Sequence, residues 1–403
     1  ELARQRTTLD LVASESVPPR SVLELQGSIL TTKYADGFPG RRDYDTCDWI
    51  DEIERLAIER AKSLFGADHA NVQPYSGSNA NMAVLYALCE PGDTVLGWDY
   101  HHGGHPTHYD PVTFAGRDYE TYTYGVRRSD ALVDMDQVES LAREHHPKVI
   151  FAGWSCYPRI IDVGAFREIA DSVGARLVVD MAHFAGLVAA GLHPDPVPMA
   201  DACTMTTHKT LGGARGGAIL CTEELAGVID DAVYPGTHGG PLPHVFAAKA
   251  ATFAFAGTDA YRERMARTVA GARTMASVLA AESERTGALV VTGGTDTHQL
   301  LVDLSPSGRV ASVVLDQLNE IGISANWIPL GFDPQPEPAT SGLRFGATAL
   351  ACRGFCESDF EAAGQLIAGG LQAGRGDFEA AAPELRAQVS ELVESFPLYR
   401  FLA

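Results

Sequence analysis

Positive charge is scarce in this chain. Its 403 residues carry 31 Lys and Arg against 52 Asp and Glu, a formal net charge of -21 at pH 7. Such a surface repels nucleic acid and anionic membranes, so neither is an expected partner. Any anionic ligand must then be held by cations gathered locally. Cysteine is sparse as well: the seven residues (Cys47, Cys89, Cys156, Cys203, Cys221, Cys352, Cys356) show no CxxC spacing. An odd, scattered set reads as reduced thiols in a cytoplasmic protein. No apolar run reaches membrane-spanning length, no charged-then-apolar leader opens the chain, and there is no internal repeat or low-complexity segment.

What is present is an ordinary globular composition, 45% hydrophobic, in a length that suggests two domains. Residues 1–45 read as an N-terminal arm, 46–258 as a large domain, and 259–403 as a linking helix and a small C-terminal domain. "DWIDEIERLAIERAKSLF" (48–65) has the apolar spacing of an amphipathic helix, and a second helix is expected from near Ser78. Short apolar runs at 93–99, 148–154, 175–183 and 216–221 read as strands, several of them separated by helical stretches. That alternation indicates an α/β domain with a largely parallel, buried sheet. After a long Ala-rich helix from about Asp259 to Glu284 the pattern changes to α+β.

Three local signals carry chemistry. "YSGSNAN" (75–81) puts Ser76, Gly77 and Ser78 just before a helix, where free N–H groups and the helix dipole suit a phosphate. "VVDMAH" ends a strand on Asp180, and ligands of open α/β sheets bind at such carboxyl ends. "TTHKT" places Lys209 among hydroxyls after a further strand-like segment. Each has a plain alternative: a capped turn, a helix-capping Asp, an exposed lysine. In combination they supply what pyridoxal phosphate needs. The lysine forms a Schiff base with the aldehyde, and the carboxylate keeps the pyridine nitrogen protonated so that the ring accepts electrons from Cα. "HHGGHPTHYD" (101–110) offers His101, His105 and His108 as zinc ligands, but its glycines and Pro106 break the helix that would align them. No metal is expected. A metal enzyme built on these histidines and a non-catalytic scaffold stay as readings of another class.

The motifs "LVASES", "KYADGFPGRR", "NVQPYSGSNAN", "HHGGHPTH", "VDMAHFAGLVAAG", "TTHKTLGGARGG", "YPGTHGGPLPH" and "TSGLRFGATAL" occur in series over nearly the whole chain. In this the sequence resembles the serine hydroxymethyltransferases, pyridoxal phosphate enzymes of fold-type I with an aminotransferase-like architecture. The resemblance implies that Lys209 is the Schiff-base lysine, that Asp180 pairs with the pyridinium and that His105 stacks on the ring. It places Ser155 and His183 near the phenolic oxygen, and Ser76, Gly77, Ser78 and His208 on the phosphate. Ser14 and Arg344 would hold the substrate carboxylate, with Tyr34 and Tyr44 also on the substrate side and Tyr34 and Asp36 among the catalytic groups. Tyr34 and Gly240 would reach in from a second subunit, so a homodimer or tetramer with shared sites is expected.

The chain departs from the family where folate is held. Asp36 replaces a usual Glu, and paired tyrosines followed by glycines become Asp43, Tyr44, Asp45 and Thr46. Leucines flanking "HGGH" become Tyr100 and Pro106, and a pterin-facing Asn falls near Ile328. Lost apolar contacts and added carboxylates disfavour an anionic folate. The expectation from these exchanges is a folate-independent L-threonine transaldolase. It would cleave a β-hydroxy amino acid to a glycine quinonoid and pass that to another aldehyde. Tetrahydrofolate-dependent hydroxymethyl transfer is the alternative.

Overall fold

A computed structural model describes residues 1–333 and 339–401. Its centre is a seven-stranded sheet: β1 (His69–Asn71), β2 (Thr94–Trp98), β3 (Glu120–Tyr124), β4 (Val149–Gly153), β5 (Arg176–Asp180), β6 (Ala202–Thr206) and β7 (Gly217–Cys221). The strands lie in the order β1-β7-β6-β5-β4-β2-β3. The run β6-β5-β4-β2-β3 is parallel, and β7 and β1 close one edge antiparallel. The chain therefore has the mostly parallel α/β sheet expected of it.

Both faces of that sheet are buried, which is why its strands read as unbroken apolar runs. Side chains alternate along a strand. Ile150, Ala152, Leu177 and Val179 accordingly join one core, with Ala57, Ala61 and Phe65 of α1 (Asp48–Phe65). Val149, Phe151 and Val178 join the other, with Ala80, Val84 and Leu85 of α2 (Gly77–Leu88). β3 has no such run: "ETYTY" sits at the sheet edge with Tyr124 alone buried, so periodicity passed over it.

Beyond α3 (Pro243–Ala256) and α4 (Asp259–Ala281) lies a four-stranded antiparallel sheet. It comprises β8 (Leu289–Val290), β9 (Gln299–Asp303), β10 (Asn326–Ile328) and β11 (Gly342–Gly346), in the order β8-β9-β11-β10. Leu300, Val302, Leu343 and Phe345 pack there against Val314, Leu318, Phe360 and Ile367. The N-terminal segment contributes to the same core: Leu9 and Leu11 are buried in it, and Leu9–Asp10 pairs in parallel with Ile323–Ser324.

Candidate active site

β2, β4, β5 and β6 run parallel, so their carboxyl ends open on one edge. The loops leaving that edge carry His105, Ser155, His183 and Lys209. Asp180 is the last residue of β5, in register with Gly153 and Thr204. Its carboxylate is buried and fully engaged. Oδ2 accepts from Asn81 Nδ2 at 2.9 Å and from His108 Nε2 at 3.1 Å, and Oδ1 accepts from the Ala182 amide at 3.0 Å. Burial alone would raise this carboxyl, but the hydrogen bond and charge of His108, the charge of His105 and the bond from Asn81 outweigh it. Asp180 is held below the usual carboxylate range and stays ionised.

The same network sets the state of His105. Thr204 Oγ1 donates to Asn81 Oδ1 at 2.6 Å, which fixes the amide's orientation. Asn81 Nδ2 then donates to both Asp180 and Thr107 Oγ1 (2.9 Å). Thr107 Oγ1 lies 2.7 Å from His105 Nδ1, and the Thr107 amide donates to that nitrogen at 3.3 Å. Nδ1 is therefore an acceptor, and the hydrogen sits on Nε2. Burial, then the charges of His108 and Lys209 against that of Asp180, bring His105 down to about 4. The ring is neutral and flat at neutral pH, as a stacking group should be.

Lys209 is partly exposed in the turn after β6. Burial first, opposed by Asp180 and assisted by Arg344 and Arg215, lowers its ammonium to about 8. Roughly a tenth of it is then free amine at pH 7, against less than a thousandth for an ordinary lysine. The initial rate at which apoprotein captures pyridoxal phosphate should accordingly rise with pH and level off near 8. A rate still climbing nearly tenfold per unit around pH 9, as an ordinary lysine would give, would contradict this environment. His183 is buried beside Lys209 and Arg344. Its Nδ1 lies 3.4 Å from His298 Nε2, and burial holds it well below its ordinary value. Arg344, buried in β11, donates from Nε to Asn326 Oδ1 (3.0 Å) and from Nη1 to the Ser155 carbonyl (2.8 Å) and Cys156 Sγ (3.1 Å). Its Nη2 has no hydrogen-bond partner among the described residues, which leaves the two hydrogens of Nη2 for a carboxylate.

The phosphate turn is the N-terminus of α2. Ser76 caps it, its Oγ accepting from the Asn79 amide at 3.0 Å, while the amides of Gly77 and Ser78 have no acceptor among the described residues. A Cβ on Gly77 would come within 2.9 Å of Thr206, so only glycine lets this turn lie against β6. His208 accepts from the Gly216 amide at 3.4 Å. Burial, followed by Arg215 and Lys209, lowers it to about 3. Two free amides, a lysine that yields its proton more readily than usual and an ionised carboxylate at a strand end form the set that pyridoxal phosphate requires, so the residues fit the cofactor.

Other expected residues are placed elsewhere. Ser14 lines a cavity of about 250 Å³ together with His208 and Arg215, and no hydrogen bond joins it to Arg344 among the described residues. Tyr34, Asp36, Tyr44 and Gly240 form a second group. The Tyr34 and Tyr44 rings lie 5.2 Å apart, and Asp36 Oδ1 accepts from the Gly240 amide at 2.6 Å. None of the four bonds to Lys209, Asp180 or Arg344 within the described chain. The three histidines considered as zinc ligands have separate roles: His101 bonds to Asp99, His105 to Thr107, and His108 to Asp180. Asn81, Thr107, His108, His298 and Asn326 were not anticipated. Asn81 alone left a trace, as a polar residue in the apolar stretch that became α2.

Comparison with known proteins gives consistent results. The family model described as serine hydroxymethyltransferase matches residues 1–367. A serine hydroxymethyltransferase of Mycobacterium leprae is 54% identical over 400 residues, covering 99% of this chain and 93% of that protein. Those of Clavibacter sepedonicus and Nocardia farcinica are 52% and 53% identical, over all of this chain and 94% and 92% of theirs. These relatives overturn the expectation of a folate-independent transaldolase and of specialised biosynthesis. At 52–54% identity nearly half of all positions differ, so exchanges at Asp43, Asp45, Tyr100, Pro106 and Ile328 do not mark a new reaction. Asp43 is engaged within the chain, where it accepts from the Tyr234 hydroxyl. Ile328 is taken up by an apolar cluster with Cys156 and Leu301.

Proposed function

This chain belongs to the serine hydroxymethyltransferase family, and from that premise we propose that it moves the hydroxymethyl carbon of L-serine to tetrahydrofolate, leaving glycine. Members are pyridoxal phosphate-dependent transferases acting on these amino acids, and so is this chain. The observation that carries the proposal is the meeting of a lysine lowered to about 8 with the two groups whose charges act on it: a carboxylate held ionised by three donors, and an arginine whose Nη2 is uncommitted among the described residues. Bound pyridoxal phosphate supplies an aldehyde for the amino group and a cationic ring that takes up the electron pair left at Cα.

The side chains do the rest. Lys209 would offer the amine that holds this aldehyde. Asp180 holds a proton at the ring nitrogen, and His108 and Asn81 keep it ionised for that purpose. His105, neutral with its hydrogen on Nε2, covers the ring. Arg344 would bind the substrate carboxylate through Nη2 and so orient the substrate. The free amides of Gly77 and Ser78, with Ser76 and His208, take the phosphate. Ser155 and His183 lie toward the phenolic oxygen. With L-[3-¹³C]serine and tetrahydrofolate, the label should appear in methylenetetrahydrofolate and unlabelled glycine should form. Label recovered only as a free aldehyde would refute the proposal.

In this reading Tyr34, Asp36, Tyr44 and Gly240 complete the site of a second copy. The surface near them supports it. Ile29 is 86% and Trp49 81% exposed, and large apolar side chains left open in this way indicate a contact surface. The active species should therefore sediment as a dimer or larger at assay concentration, and Trp49→Asp should shift it toward an inactive monomer. An active monomer would contradict the shared site.

A further inference from the structure

Lys249 is a buried lysine that the chemistry above does not use. It lies on α3, only 1% exposed. Its Nζ donates to three main-chain carbonyls: Val72 at 2.5 Å, Pro74 at 3.0 Å and Gly217 at 2.7 Å. Three acceptors around one nitrogen match the three hydrogens of an ammonium. Burial lowers the group to about 7 while the Glu54 carboxylate opposes that shift.

The carbonyls it gathers belong to the segments that build the phosphate turn. Val72 and Pro74 lead from β1 into Ser76 and α2, and Gly217 opens β7. Pro74 also accepts from the Gly217 amide at 3.0 Å. A Cβ on Gly217 would meet the Ser76 carbonyl at 2.3 Å, and one on Gly216 would meet Lys249 Cε at 2.7 Å. Gly216 in turn donates to His208. The strand lead-in, the helix start and the His208 turn are thus closed around one ammonium. The charge of Lys249 is also felt at His208.

We propose that Lys249 is a positioning residue for the cofactor phosphate: by binding the carbonyls of Val72, Pro74 and Gly217 it holds the Gly77 and Ser78 amides and His208 aimed outward at the anion. This rests on the reading that the turn at Ser76 is the phosphate site. Without the ammonium, two of the three carbonyls lose a charged donor and have no replacement among the described residues, so the turn relaxes and the amides lose their common direction. The effect falls on the phosphate end of the ligand. A lysine that merely stabilised the fold would weaken every ligand alike.

The test compares pyridoxal phosphate with pyridoxal, which lacks the phosphate, by titrating each into the apoprotein. Lys249→Met should lower the preference for the phosphorylated form by about tenfold or more, the scale of one charge-assisted hydrogen bond, while pyridoxal binding changes by less than about twofold. Equal weakening of both ligands, or of neither, would overturn the inference. Should Lys249→Met fail to fold, Lys249→Arg serves. It keeps the charge but spreads its donors in a plane, so the preference should fall in the same direction by a smaller factor, and an unchanged preference would overturn the inference. The double variant Ser76→Ala/His208→Ala separates the two levels. If it leaves the preference intact, the phosphate reading itself fails. If it lowers the preference and the Lys249 variants do not, only the role of Lys249 fails.

Discussion

Lys209→Ala is expected to remove the visible absorbance of covalently held cofactor and to lower serine turnover by about a thousandfold or more, the scale on which loss of a covalent catalyst is felt. The variant should fold, because Lys209 is partly exposed and packs into none of the apolar clusters. Soluble pyridoxal phosphate should still bind through the Gly77 and Ser78 amides, more weakly. Borohydride reduction of the native holoenzyme locates the attachment. The label should fall on Lys209 and not on Lys249, the other lysine whose ammonium is lowered, because the Lys249 nitrogen is spent on three carbonyls. Label on any other lysine would refute the assignment.

Asp180→Asn should lower kcat by about a hundredfold to a thousandfold, as removal of one preorganised charge does elsewhere. Size is kept and charge is lost, so cofactor affinity should fall much less than turnover. The substitution also confronts His108 Nε2 and Asn81 Nδ2 with an amide where they had a carboxylate. His108→Ala should therefore give a milder loss of the same kind, since Asp180 loses its strongest support for the ionised state. Turnover within tenfold of the native enzyme in Asp180→Asn would mean that the carboxylate does not serve the ring nitrogen.

How much of this was legible in the sequence follows from physical range. Helix α1 was readable to its ends because its apolar spacing is local, and β4 and β5 because burial on both faces leaves an unbroken apolar run. Asp180 and Lys209 were legible because strand ends and turns are marked by short patterns. His108 was weighed only as a metal ligand, and set aside, so its role went unread: its partner Asp180 lies 72 positions away, and nothing near His108 in the chain announces a carboxylate. Asn326 and His298 were missed for the same reason: Asn326 meets Arg344 from the neighbouring strand, 18 positions away, and His298 meets His183 from 115 positions away. The folate pocket was overread. Residue exchanges were read as if those side chains faced a folate, whereas Asp43 is bonded to Tyr234 and Ile328 packs with Cys156 and Leu301.

The most direct test of the central claim is the rate of glycine formation from L-serine as tetrahydrofolate is titrated. Hydroxymethyl transfer predicts little turnover without the folate and a saturable rise to a maximum as it is added, with one methylenetetrahydrofolate formed per glycine. A rate of glycine formation that is the same with and without tetrahydrofolate would contradict it.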